Sequence, residues 1–156
     1  MIPDPLHPAI VHLPMALVVL LPLFTIYALF AISRGQQPTS GWRTVFALQL
    51  ILSLSSWAAV ETGEQDEDYY EHGATEEVLE AHEDLAEVFQ VFALAALPLV
   101  AAGFLAGRFG QLARFAYMAV TIGLLVMGAM VGHRGGEIIY PDGAKTTAEK
   151  LVGRSH

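Results

Sequence analysis

An all-α, integral membrane four-helix bundle is the fold class this sequence predicts, and three observations predict it. Hydrophobic residues make up 54% of the 156 residues and charged residues only 15%, too few to clothe a soluble domain, where about a quarter of residues are charged. Four apolar segments recur, each close to the ~20 residues a helix needs to cross a ~30 Å hydrocarbon layer. The polar stretches between them separate by sign of charge, basic turns on one side and an acidic segment on the other. On this reading the transmembrane domain occupies residues 1–133, with an acidic outer loop at 61–84, and a short polar C-terminal tail follows at 134–156.

The first span, Leu13 to Ile32, carries no charge. Its flank, Met1 to Leu6, holds Asp4 and no Lys or Arg, so the segment reads as a retained span; a cleavable signal needs a positive flank. The second, Thr44 to Val60, is uncharged between Arg43 and Glu61, and Val88 to Gly107 and Phe115 to Gly132 complete the set. Arg34, Arg43, Arg108 and Arg114 mark the two short turns, which contain no acid, whereas residues 61–87 hold twelve acids and no Lys or Arg. The positive-inside rule then places the short turns in the cytoplasm and both termini outside, with the acidic loop. Within that loop Thr75 can cap a helix whose first turn carries Glu76 and Glu77. From there Val78, His82, Leu85, Phe89, Phe92 and Ala96 recur at helical spacing, one apolar stripe running into the third span. The tail from Arg134 onward is Gly-rich and polar, not a fifth span.

Composition excludes whole classes of function. The absence of Cys removes disulfides, thiolate metal sites, Cys-ligated iron–sulfur clusters and covalently attached haem. A net charge of −8 without a basic run argues against nucleic acid. No Gly-rich phosphate fingerprint occurs. The serines at 53, 55 and 56 have no triad partner. Pro14, Pro22 and Pro98 can kink their helices, but no ionisable group accompanies them at mid-membrane, as transport would require.

The histidines carry the functional signal. Threading four antiparallel helices brings His7 and His12 of the first, His82 of the third and His133 of the fourth to one depth near the outer face, the way bundle-core sites are assembled. A b-type haem takes axial His and needs no Cys. Gly128 and Gly132 leave one face of the fourth helix bare, and Met15, Met127 and Met130 are soft fillers or a Met ligand. A non-haem ion such as Zn, Cu or Fe would instead combine the histidines with carboxylates at the end of the second helix, Glu61 and Glu64 foremost. Each His can equally cap a helix end. The acidic run can be a solvated face, and Gly128/Gly132 can serve close helix packing. His72, in the acidic loop, and the terminal His156 are given no role.

The string Leu6-His-Pro-Ala-Ile-Val-His-Leu-Pro-Met-Ala-Leu17 resembles the opening of the DUF2231 family of bacterial membrane proteins, L-H-P-x-x-V-H-F-P-I-A-L. Thr62-Gly63-Glu64-Gln65-Asp66-Glu67 is similar to its T-G-E-x-A-E segment, and Ala81-His82-Glu83 to the His-Glu opening its third helix. Gly132-His133-Arg134-Gly135-Gly136-Glu137-Ile138-Ile139-Tyr140 is similar to its terminal H-x-G-G-E-φ-φ-Y, φ being apolar. The resemblance spans nearly the whole chain and implies a four-helix membrane domain in the bacterial inner membrane. It singles out His7, His12, His82, His133 and Glu64. Asp66 stands where the pattern has Ala, and Asp142 where many relatives have His, which removes an extra ligand from the tail.

The expectation is therefore a membrane electron-transfer subunit binding one or two b-type haems at the outer face, with His12, His82 and His133 the foremost ligands and His7 the fourth. Glu64 would hydrogen-bond a ligand's second nitrogen, and Gly135-Gly136 would fold back as a lid. Its surroundings would be the lipid bilayer and neighbouring membrane or outer-side redox subunits, a carrier rather than a stand-alone enzyme. Two rivals stand beside it: a non-haem metal protein using the same histidines with Glu64, and a cofactor-free structural subunit of a larger complex.

Overall fold

A computed structural model describes residues 5–66 and 76–139; His72, Thr75 and the tail from 140 to His156, including Asp142, lie outside the described residues. Four helices account for nearly all of it, with no strand among the described residues. Helix α1 spans His7–Ser33, with a turn at Val11 dividing His7–Ile10 from His12–Ser33. Helix α2 is Pro38–Gln65, α3 is Glu76–Ala102 and α4 is Gly107–Ile139. All four are long and apolar enough to cross a membrane.

The helices outrun the apolar segments that announce them. At ~1.5 Å per residue, the 27 residues of α1 or α3 exceed a ~30 Å hydrocarbon layer by several residues. Their polar outer turns belong to the same helix but leave no trace in hydropathy. Two expectations change accordingly. Helix α2 runs to Gln65 and α3 starts at Glu76, so both described edges of the 61–84 segment are helical, not loop. Helix α4 continues through Gly135 and Gly136 to Ile139, so these glycines sit on a helix and form no returning lid.

Each helix packs on its sequence neighbour, and α1 closes the ring against α4. The turns are short. Gly35 closes the first with φ +93°, and Gly107 opens α4 with φ +70°, a left-handed conformation that glycine adopts without cost. Radially, the polarity is that of a bundle in lipid. Phe24, Phe30, Leu54, Trp57, Phe92 and Phe115 point outward, while Thr25, Gln49, Ser53 and Thr121 are fully buried. Without a hydrophobic drive between helices in lipid, small residues and hydrogen bonds hold the interior.

The interior of α3 follows this rule. Its buried positions are Leu79, Phe89, Ala93, Ala96 and Val100, a stripe offset from the one its sequence suggests. Phe92 is exposed, and Ala93 takes the inner place, because a small side chain lets α2 approach. There Gln49 Nε2 and Ser53 Oγ both donate to the Ala93 carbonyl, at 2.7 and 2.9 Å. Tyr117 of α4 donates to Gln49 Oε1 at 2.6 Å. Nearer the arginine end, Trp42 Nε1 donates to the Val100 carbonyl and Arg114 to that of Gly103. The scaffold is thus tied from α2 through α3 to α4, and its opposite end is left to form a cavity.

Candidate functional site

His7 is the first residue of α1, and the preceding Leu6 offers no side-chain acceptor for the unpaired amides of the first turn. The cap comes from elsewhere: the His7 backbone N–H donates to Asp66 Oδ2 at 2.8 Å, across 59 residues. The His7 ring is fixed by the same helix end, its Nδ1 lying 2.8 Å from the Ala59 carbonyl. A carbonyl only accepts, so this nitrogen carries the proton and Nε2 of the neutral ring keeps its lone pair. Gly63 makes the approach possible, because a Cβ there would stand 3.2 Å from His7 Nδ1.

His82 enters from α3. Its ring abuts Gly135 of α4, where a Cβ would lie 3.1 Å from Cε1, and the Val131 carbonyl interacts with it. Its Nδ1 is buried and has no hydrogen-bond partner, a loss of about 1–3 kcal/mol for a buried polar atom left unpaired. The two rings stand at 86° with centroids 6.2 Å apart.

Both rings line a cavity of about 340 Å³ to which all four helices contribute, with His12 and Met15 also among its lining residues. Glu64, His82, Glu83 and Glu87 add polar groups; Gly132, Gly135 and Gly136 form a bare wall, and no Lys or Arg is among the lining residues. A second chamber of about 50 Å³ lies against the same His pair, reaching Ser56, Phe89 and Gly128.

Three of the four histidines singled out by sequence therefore meet at the cavity, with Glu64. His133 does not: its side chain is 77% exposed and pairs with Glu137 at 3.5 Å, because α4 turns that position away while Gly132 and Gly135 face inward. Glu64 lines the cavity, but the second nitrogen of His7 is held by a backbone carbonyl, not by Glu64. Among the described residues no three His or acidic side chains are grouped closely enough to hold a metal ion. Sequence reasoning gave no role to Ala59 or Gly63, and it counted Asp66 among the carboxylates at the end of the second helix without foreseeing its bond to the His7 backbone. A carbonyl leaves no mark in the sequence, but a glycine inside a helix next to Glu64 was a usable sign of close approach.

The comparisons agree with this architecture. No curated protein matches the chain, and no solved structure does. A family of predicted membrane proteins, DUF2231, matches residues 3–148. With nearly its whole length matched, a four-helix membrane bundle bearing a histidine-lined cavity at one end, the chain is a member of the DUF2231 family.

Proposed function

We propose that the cavity binds one b-type haem through His7 and His82, and that the protein is an electron-transfer subunit of the membrane. The observation that carries this reading is the imidazole pair. The rings come from different helices, perpendicular and 6.2 Å apart, and both line the same cavity, so two imidazoles would be at hand for one bound group. His7 is oriented through Nδ1 by a backbone carbonyl, the usual outer support of a ligating imidazole. The Nδ1 of His82 is buried without a hydrogen-bond partner, an unsatisfied polar atom beside the cavity of the kind that calls for an explanation.

A haem would ask few ligands of the protein, so His7 and His82 would suffice to hold it. An ion held by protein groups alone needs a fuller set, and no group of three is assembled among the described residues. This favours haem over the Zn, Cu or Fe alternative. Bound haem would supply one-electron chemistry; the chain's part is to orient the imidazoles and furnish the glycine wall. The acidic rim of Glu64, Glu83 and Glu87 favours the more positive, ferric charge state, and hence a low potential. On this reading His12 lines the mouth, and His133 is no ligand. The site faces the outside of the bacterial inner membrane, with both termini on that side, where a redox subunit or soluble carrier would meet it.

The test is an oxidised and dithionite-reduced visible spectrum of the detergent-purified protein, with elemental analysis of the same sample. A Soret band, a sharp reduced α-band and about one iron per chain are expected. Folded protein from haem-replete cells, with neither pigment nor metal, would leave a structural subunit as the better reading.

A further inference from the structure

We propose that Asp66 is the positioning residue of the histidine site, an inference that rests on His7 being a ligand. The last turns of α2 grip His7 twice. Ala59 accepts the ring Nδ1–H and Asp66 accepts the backbone N–H, each at 2.8 Å, with Gly63 between them admitting the ring. Either bond alone leaves His7 free to pivot about the other. Together they fix both the position of its Cα and the rotation of its imidazole.

The entry turn needs such an anchor. His7–Ile10 is set apart from the rest of α1 by the turn at Val11, and neither Leu6 nor Val11 provides a side-chain cap. The Asp66 carboxylate replaces the missing local cap, and the bond is charge-assisted, hence among the stronger kinds. It also closes the ring of helices at the cavity, tying the first residue of α1 to the end of α2. Asp66 itself is absent from the cavity lining, so it acts through His7 and not by touching a ligand.

The experiment uses the full chain in detergent, titrated with ferric haem, with carbethoxylation of His7 by diethyl pyrocarbonate followed by peptide mass. Asp66→Ala is expected to weaken haem binding about tenfold or more, the usual effect of removing an outer support of a ligand. It should also alter the low-spin ferric spectrum and speed carbethoxylation of His7 severalfold. Asp66→Asn keeps an acceptor oxygen and should restore most of all three readouts. Asp84→Ala, an exposed acid on α3, is the control and should change none. Equal haem affinity, spectrum and His7 reactivity in Asp66→Ala would overturn the assignment. Should that variant fail to fold, Asp66→Glu moves the acceptor by one methylene, and a spectrum and reactivity identical to the parent would overturn it as well. If the parent chain binds no haem, the haem reading fails by itself, while the His7 modification rates still decide whether Asp66 holds His7.

Discussion

His7 and His82 reach the cavity from helices that are not neighbours in the bundle, yet their ring centroids lie 6.2 Å apart. Each ring lies against a glycine of a further helix, Gly63 of α2 for His7 and Gly135 of α4 for His82. Four helices therefore cooperate to bring two imidazoles together. Replacing either histidine by Ala should abolish the low-spin haem spectrum, whereas His133→Ala, on an exposed side chain, should leave it intact. Reduced-minus-oxidised spectra of the three variants at equal protein concentration decide this. Loss of the spectrum in His133→Ala alone would transfer the ligand role to His133 and refute the pairing.

The glycines make the second prediction. A Cβ at Gly63 would sit 3.2 Å from His7 Nδ1, so the ring must give by a few tenths of an ångström against its bond to the Ala59 carbonyl. Gly63→Ala should therefore lower haem affinity while the helix gains up to about 1 kcal/mol of intrinsic propensity. Binding titration and thermal melting of the haem-free protein separate the two effects. A variant that binds haem as tightly as the parent would show that the ring has room to yield. Gly123→Ala, on α4 with open space around its Cβ and outside the cavity lining, is the matched control.

How much of this was legible in the sequence follows from which forces leave a periodic trace. The four spans stand out because hydrocarbon thickness imposes a length, and the relation of the histidines to one end follows from antiparallel threading. What hydropathy did not reveal is the rotation of each helix. In lipid, Phe92 outside and Ala93 inside are both apolar, so a stripe drawn by hydrophobicity slips by one position. Size, not polarity, distinguishes the faces. The same ambiguity placed His133 beside His82, although α4 presents Gly132 and Gly135 there instead. Asp66 and Ala59 act through long-range hydrogen bonds to His7, and no local pattern announces such partners.

Tyr117 gives the third prediction, independent of any cofactor. Its hydroxyl donates to Gln49 Oε1 at 2.6 Å in a fully buried network. Tyr117→Phe removes the donor and leaves that oxygen unpaired. The expected loss is about 1–2 kcal/mol, the upper range for interhelical hydrogen bonds in membranes. Thermal or denaturant unfolding in detergent measures it, with haem content expected to stay unchanged because the network lies away from the cavity. An unfolding midpoint equal to the parent's would show that the Gln49 amide finds another donor.

The arginine end offers a steric test. Trp42 is fully buried, its Nε1 donates to the Val100 carbonyl at 2.7 Å, and its indole lies over Gly103. A Cβ at Gly103 would fall 2.1 Å from Nε1, closer than any real contact, and the obstacle is a large ring packed edge-on against Tyr117. Neither ring can turn aside without opening a void, so Gly103→Ala forces the α3–α4 turn away from α2. Overpacking of this kind costs about 1–3 kcal/mol, and the displaced indole loses its hydrogen bond. Gly103→Ala should lower the melting temperature and shift the tryptophan emission, whereas Gly107→Asn, at a position with open space and left-handed φ that Asn tolerates, should do neither. A Gly103→Ala protein with native emission and melting would mean that Trp42 does not occupy the place the packing requires. The ties from α2 to the far ends of α3 and α4 would then need another origin.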